Sequence, residues 1–378
     1  MDIGLNHRDA HLSGNPSATP PRGVGGLALP DGVLIRSRTG YSTARRRADG
    51  AIAVEQVPFA GFAESSRWAR LPVARGVAGF AESLLLSCAL VRAGSPPPPA
   101  SPAEAWADPA ARRSLRGASA ALLLGLLAPL PAAWWLLAGV LAAMGGSAAL
   151  MNESDAPAAA AALLFSLRAA LLGAAAAWSG RSGELHRYHG AEHRALHCFE
   201  EGRGPTVGRA LRQPALHGRC GFMLYADALL LQGALGAGAL WLLANTVTGF
   251  PAWPAPARLA LWSAAELALL PLAVGLAGEA AALRGRLRPR WLALALEAPG
   301  RALQRLTLRS PSAAHVECAI VALLGAVSIP DARGARASYL VPGLVDDESA
   351  PGYRAPALAR PAAKAAVEPP RAAEPTLA

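Results

Sequence analysis

FMLYADALLLQGALGAGALWLLANTV, residues 222–247, carries one charged side chain, Asp227. As a helix this run would extend about 39 Å at 1.5 Å per residue, which exceeds a bilayer's hydrocarbon core of roughly 30 Å. Three other runs have the same character: 118–145, 157–179 and 259–283. Buried helices of soluble domains are shorter and striped with charge. The composition therefore predicts a mainly α membrane protein, a polytopic transmembrane helix bundle of about four spans.

Charge placement orients these spans. The net charge of +10 is nearly all arginine, with Lys364 the one lysine. Arg181, Arg187, Arg194, Arg203, Arg209, Arg212 and Arg219 lie between the second and third runs. Arg284, Arg286, Arg288, Arg290, Arg301, Arg305 and Arg309 follow the fourth. The connection 150–156 has Glu153 and Asp155 and no arginine, and 244–258 has only Arg258. Four alternating spans put both arginine-rich segments and both termini on one face, which the positive-inside rule makes cytoplasmic. Basic residues interleaved with aromatics are absent, so no nucleic-acid partner is expected. Cys88, Cys198, Cys220 and Cys318 fall on or near the reducing side, as free thiols or metal ligands. The N-terminus lacks a signal-peptide pattern, so the first span is expected to act as an uncleaved signal-anchor.

Along the chain, 1–22 reads as a disordered N-terminus and 23–92 as a small cytoplasmic or interfacial region. Within it, Val33–Leu34–Ile35 and Ala51–Ile52–Ala53–Val54 form β-prone runs around the turn-like Ala48–Asp49–Gly50, a β-hairpin or small sheet. An amphipathic helix over 71–91 is expected on the membrane surface. Residues 93–117 read as a linker, 118–330 as the bundle and 331–378 as a disordered tail. Pro129 and Pro131 predict a kink in the first span, or two re-entering half-helices.

Chemistry concentrates in the cytoplasmic segment 180–221, where four of eight histidines lie within twelve residues of ELHRYHGAEHRALHCFE. On a helix His186, His189, His193, His197 and Glu200 share about 80° of arc, with Glu192 about 60° to the other side of His189. Cys198 faces away. His186, beside Arg187 at the boundary, reads as a headgroup residue. His189, Glu192 and His193 form H-x-x-E-H, the inverzincin order, in which two imidazoles hold a divalent metal, zinc above all, and the carboxylate serves as base toward a bound water. The alternative is a cytoplasmic helix whose histidines solvate the headgroup boundary. His217–Gly–Arg–Cys220 supplies a second half-site at the start of the third span. Ionisable groups inside spans default to function. Glu279 and Asp227 lie at the depth of the histidines, and Glu279 is the favoured third ligand. The alternative is an intramembrane pair of Arg168 with Glu266 or Glu279.

YHGAEHRALHCFE (188–200), LHGRCG (216–221) and PGRALQRLTLRSP (299–311) resemble the YqhQ-like family of bacterial membrane proteins. GGLALPDGVLIR (25–36) is similar to that family's glycine-rich opening, with Leu27 where glutamine is usual and Asp31 where glutamate is usual. Arg75–Gly76 with Glu82–Ser83 resembles its next block. The resemblance implies the bacterial plasma (inner) membrane and a predicted metal-dependent enzyme, but no substrate. Asp31 and Glu82 join the candidate site residues through this resemblance, beside His197 from the histidine face and Arg168 from its charge within a span.

Three functions fit the residues. In the first, a hydrolase-like metal enzyme, His189 and His193 are ligands with Glu279 or His217, and Glu192 is the base. In the second, a scaffold, His189, His193, His217 and Cys220 close a structural site. The third is a transporter built on Arg168, Glu266 and Glu279. The lipid bilayer is the expected partner, beside an unidentified substrate or membrane partner.

Overall fold

Glycines and a Pro–Asp turn divide residues 25–58 into an antiparallel meander: β1 (Gly25–Leu29), β2 (Gly32–Arg36), β3 (Gly40–Arg46) and β4 (Ile52–Pro58). Leu29 pairs with Gly32, leaving Pro30 and Asp31 as the hairpin loop, where Asp31 meets Arg45 at 2.6 Å. The computed structural model describes residues 23–62, 66–90, 98–133, 136, 157–179, 183–202, 204–287, 290–332 and 334–343. The expected disordered N-terminus, the second half of the first apolar run and the tail from 344 lie outside these residues.

A fifth strand, β5 (Ala337–Val341), joins β4 with Ile52 opposite Val341. This corrects the disordered tail at its start: a five-residue strand leaves little periodicity to read, and a sheet edge elsewhere in the chain supplies its hydrogen bonds. The small N-terminal sheet is accordingly five-stranded and shares its core with distant segments.

Side-chain alternation lets both faces of the sheet be covered. Val33, Ile35, Ala44, Ile52 and Val54 pack with α5 (Glu184–Glu200), α6 (Val207–Leu211) and α10 (Ala313–Val327). Helix α10 is buried over most of its surface, but at about 22 Å it is too short to span, and it fills the core between sheet and α5. Leu29, Leu34, Tyr41, Val57 and Phe59 face the other way, against α1 (Ala74–Leu90), α2 (Pro102–Ala107) and α3 (Pro109–Leu127). The helix expected to lie on the membrane is thus partly buried in the fold. At its N-terminal end Gly76 abuts Gly275 and Gly278, which brings the backbones of two helices together. The expected linker 93–117 is also corrected, because 102–117 is helical. Ser101 caps α2 by accepting from the Glu104 amide, Asp108 caps α3 by accepting from the Ala110 amide, and each helix starts on proline.

Among the described residues, three helices are long and apolar enough to cross a membrane: Pro109–Ala133, Gly221–Thr246 and Pro256–Arg284. In the first, the regular helix is interrupted at Ala128, just before Pro129, which cannot donate a backbone hydrogen bond. Helices α7 (Gly221–Thr246) and α8 (Ala255–Arg284) pack directly on each other, and α4 (Pro157–Ser179), the second apolar run, packs on α7. Arg168 of α4 pairs with Glu266 of α8 at 3.2 Å, and both side chains are buried. Arg168 also donates to the Leu126 carbonyl at 2.8 and 3.1 Å, and Gln232 donates to the Glu266 carboxylate at 2.6 Å. Gly236 lies against that carboxylate, which a Cβ there would displace. The amphipathic helix α9 (Arg290–Thr307) follows α8 and packs on α7 and α4.

Two outcomes follow from this packing. A chain stopped after Gly343 should keep its abundance and melting temperature, whereas one stopped after Arg336 loses β5 and should melt about 4 °C lower or more in detergent; equal melting would remove β5 from the fold. Glu266→Ala leaves the Arg168 guanidinium buried without its counter-charge, at a cost of about 3–5 kcal/mol. Thermal unfolding should show that Arg168→Met with Glu266→Leu recovers more than half of this loss, and a double variant as unstable as Glu266→Ala would contradict the assignment.

Candidate metal centre

Helix α5 forms over the expected residues, and Gly202, at φ 68°, stands just beyond its end. The i, i+4 spacing stacks His189 under His193 with ring centroids 4.5 Å apart. Each ring is pinned by a backbone carbonyl from another segment. His189 Nδ1 lies 3.2 Å from the Thr307 carbonyl, and His193 Nδ1 lies 2.5 Å from the Ala215 carbonyl. A carbonyl can only accept, so each Nδ1 carries its proton and each Nε2 presents a lone pair. His189 Nε2 is 3.3 Å from Cys220 Sγ, and His193 Nε2 is buried with no hydrogen-bond partner among the described residues. The three ligand atoms of His189, His193 and Cys220 lie within 4.8 Å of one another. Zinc bonds of about 2.0–2.3 Å need only a small inward adjustment from there. The unpaired, buried lone pair of His193 and the adjacent thiol fit such an ion.

Cys220 is delivered by the loop before α7, where it occupies the N-cap. Gln304 of α9 holds that loop: its Oε1 accepts from the His217 amide at 3.0 Å and its Nε2 donates to the His217 carbonyl at 2.9 Å. Gln304 and Thr307 were not foreseen as site residues. A signal existed, since Gly300, Leu303, Gln304 and Thr307 form the buried stripe of an amphipathic helix, with a polar amide where an apolar side chain would suffice.

Glu192 is buried beside the trio, and a Cβ on Gly26 of β1 would come within 2.7 Å of its carboxyl. Glycine at 26 therefore makes room for it. No hydrogen bond to this carboxyl is found among the described residues, and burial pushes it up to about 8. Burial also lowers His189 to about 4 and His193 to about 2, and raises the Cys220 thiol to about 12.

Other expected ligands lie elsewhere. His217 belongs to a second group with His197 and Glu200. Its Nδ1 accepts from the Arg219 amide at 3.3 Å, so Nε2 carries the proton that it donates to Glu200 at 3.0 Å. Arg219 also pairs with Glu200, and His197 donates to the Leu216 carbonyl at 3.0 Å. This group satisfies itself by hydrogen bonds and offers no free nitrogen from His217. Glu279 does not join the trio: it accepts from the Val73 amide at 3.0 Å and from Arg75 Nε at 2.8 Å. Depth in a span and direction around it are independent, and Glu279 faces α1. Asp227 pairs with Arg284, Glu82 with Arg36 and the Phe62 amide, and Asp31 with Arg45. His186 is buried rather than set in headgroups, and its carbonyl accepts from the Arg309 amide at 3.2 Å.

Comparison with known proteins agrees with the motif resemblance. The chain is 27% identical over 305 residues to the "Uncharacterized protein YqhQ" of Bacillus subtilis (strain 168), covering 79% of this chain and 91% of that protein. No solved structure matches it. A family model described as a protein of unknown function (DUF1385) matches residues 71–328, more than half of the chain, and the chain belongs to that family.

Proposed function

We propose that this protein is a multi-pass enzyme of the bacterial inner membrane, with four spans and cytoplasmic termini, that hydrolyses its substrate with a divalent metal, zinc by donor chemistry, held by His189, His193 and Cys220. The observation that carries this is the pair of imidazoles anchored through Nδ1, with both Nε2 lone pairs turned toward one thiol and that of His193 otherwise unpaired. Three protein ligands are the catalytic pattern, because a tetrahedral ion keeps one position open. Once bound, such an ion acidifies a water and polarises the bond to be cleaved.

The chain's own groups do the rest. Thr307 and Ala215 fix the imidazole tautomers, and Gln304 fixes the loop that carries Cys220. Glu192 takes and returns the proton, since its carboxyl is buried beside His189, His193 and Cys220 in the space that Gly26 leaves for it. A cysteine nucleophile working without a metal is less well supported. Burial drives the thiol up and His189 down, so both stay neutral and no thiolate–imidazolium pair forms. A closed four-ligand scaffold would need His217, whose ring is committed to Glu200 and Arg219. A transporter built on Arg168, Glu266 and Glu279 finds Arg168 paired with Glu266 and Glu279 paired with Arg75.

Two measurements test this. Metal analysis of purified protein should find near-stoichiometric zinc in wild type and in Glu192→Gln, and about a tenth or less in Cys220→Ser and His193→Ala. Glu192→Gln should nevertheless fail to complement a deletion strain. Full complementation by Glu192→Gln, or zinc retained by Cys220→Ser, sinks the assignment.

The second concerns pH in metal-free protein. The folded Glu192 binds its proton up to about 8, whereas the unfolded group releases it near 4.5. Its contribution to stability is thus full below 4.5 and is lost as pH rises through 8. Melting temperature between pH 6 and 9 should fall in wild type and fall less in Glu192→Gln, and parallel curves would count against the buried carboxyl.

A further inference from the structure

The metal trio stands at the end of a span. Cys220 caps α7, a helix long and apolar enough to cross the bilayer, so the site sits at the depth where hydrocarbon gives way to headgroups. From it an aromatic path enters the apolar layer. The His189 ring lies 5.9 Å from Phe222, Phe222 lies 6.1 Å from Tyr225, and Tyr225 lies 5.9 Å edge-on to Phe80 of α1. All four rings are partly exposed, whereas His193, Cys220, Glu192 and His217 are buried. The open flank of the site is therefore its His189 side, which continues into these aromatics.

The surroundings have the composition of a membrane interface. Helix α9, whose last residue holds His189, exposes Trp291, Leu294, Leu296 and Leu306 on an amphipathic surface. Trp68 and Leu71 are exposed just before Val73, whose amide meets Glu279 near the same end of α8. Tryptophan with leucine is the side-chain chemistry of the headgroup boundary. A water-soluble substrate would gain nothing from aromatics leading away from the metal trio, whereas an acyl or prenyl chain would bury its methylenes there at about 0.8 kcal/mol each.

From these contacts we infer that the substrate is a membrane amphiphile, held with its polar head at His189, His193 and Cys220 and its apolar chain along Phe222, Tyr225 and Phe80. This rests on the hydrolase reading and adds the substrate class. The reaction is a hydrolysis: the bond between the head's electrophilic carbon or phosphorus and its leaving oxygen breaks, and water's oxygen replaces it. One water proton passes through Glu192 to the leaving oxygen, with no change of oxidation state.

The test uses full-length, zinc-loaded protein in nanodiscs of phosphatidylethanolamine and phosphatidylglycerol. It is incubated separately with the chloroform-soluble and the aqueous extract of the deletion strain, beside Glu192→Gln, and followed by mass spectrometry. The expected result is a species in the chloroform-soluble extract consumed by wild type and not by Glu192→Gln. Phe222→Ala should slow its consumption about tenfold or more with bound zinc unchanged, and that zinc content reports that the variant is folded. Consumption confined to the aqueous extract would overturn the amphiphile and leave the hydrolase standing. Consumption in neither extract would overturn both. The wild-type comparison holds even if Phe222→Ala is lost to misfolding.

Discussion

Two backbone carbonyls hold the site together. Thr307 ends α9 and Ala215 lies in the loop before α7, and each accepts a hydrogen bond from the Nδ1 of one imidazole on α5. Unless both segments are docked, neither ring has a fixed tautomer and the two Nε2 lone pairs do not converge on Cys220. The docking is therefore a condition for the chemistry, and most of the packing nearby maintains it. Gln304 clamps the loop through both backbone groups of His217, and Gly190 lets α5 approach the chain at Arg309 and Pro311 closely. Gly26 allows β1 to cover Glu192.

This arrangement ties the sheet-bearing part of the fold to the apolar helices. The sheet and α10 form one core with α5, while α9 and α7 pack with the apolar bundle. His189 and His193 come from the first part and Cys220 from the second. A metal held as proposed would report on their relative position, because a shift of either by an ångström would change a bond distance that a metal tolerates only within about 0.2 Å. The Arg75–Glu279 pair and the contact of Gly76 with Gly275 join the same two bodies on another side, through α1.

The apolar bundle itself is pinned by charge. Arg168 and Glu266 are buried together, with the Leu126 carbonyl accepting from Arg168 and Gln232 donating to Glu266. An ion pair in so apolar a place is costly to form and more costly to break, so it selects one rotational setting of three helices over others of similar apolar surface. That is specificity of packing rather than a reservoir of stability.

Residue pattern alone carried the apolar runs, the histidine helix and the pairing of His189 with His193, because these depend on local periodicity: long runs without charge, and i, i+4 spacing on one helix face. It offered Cys220 beside His217 as a further half-site, on the expectation of a shared depth, and favoured Glu279 as third ligand. Direction around a helix axis relative to distant neighbours is not local. Glu279 faces Arg75, and His217 sits beside the trio with its ring turned to Glu200. The fifth strand was invisible for the same reason, since its hydrogen bonds come from β4, where Ile52 pairs with Val341 and Gln56 with Ala337. Only the tertiary structure decided which nitrogen of each imidazole is free, because that choice belongs to carbonyls at Thr307 and Ala215 whose positions no helical spacing encodes.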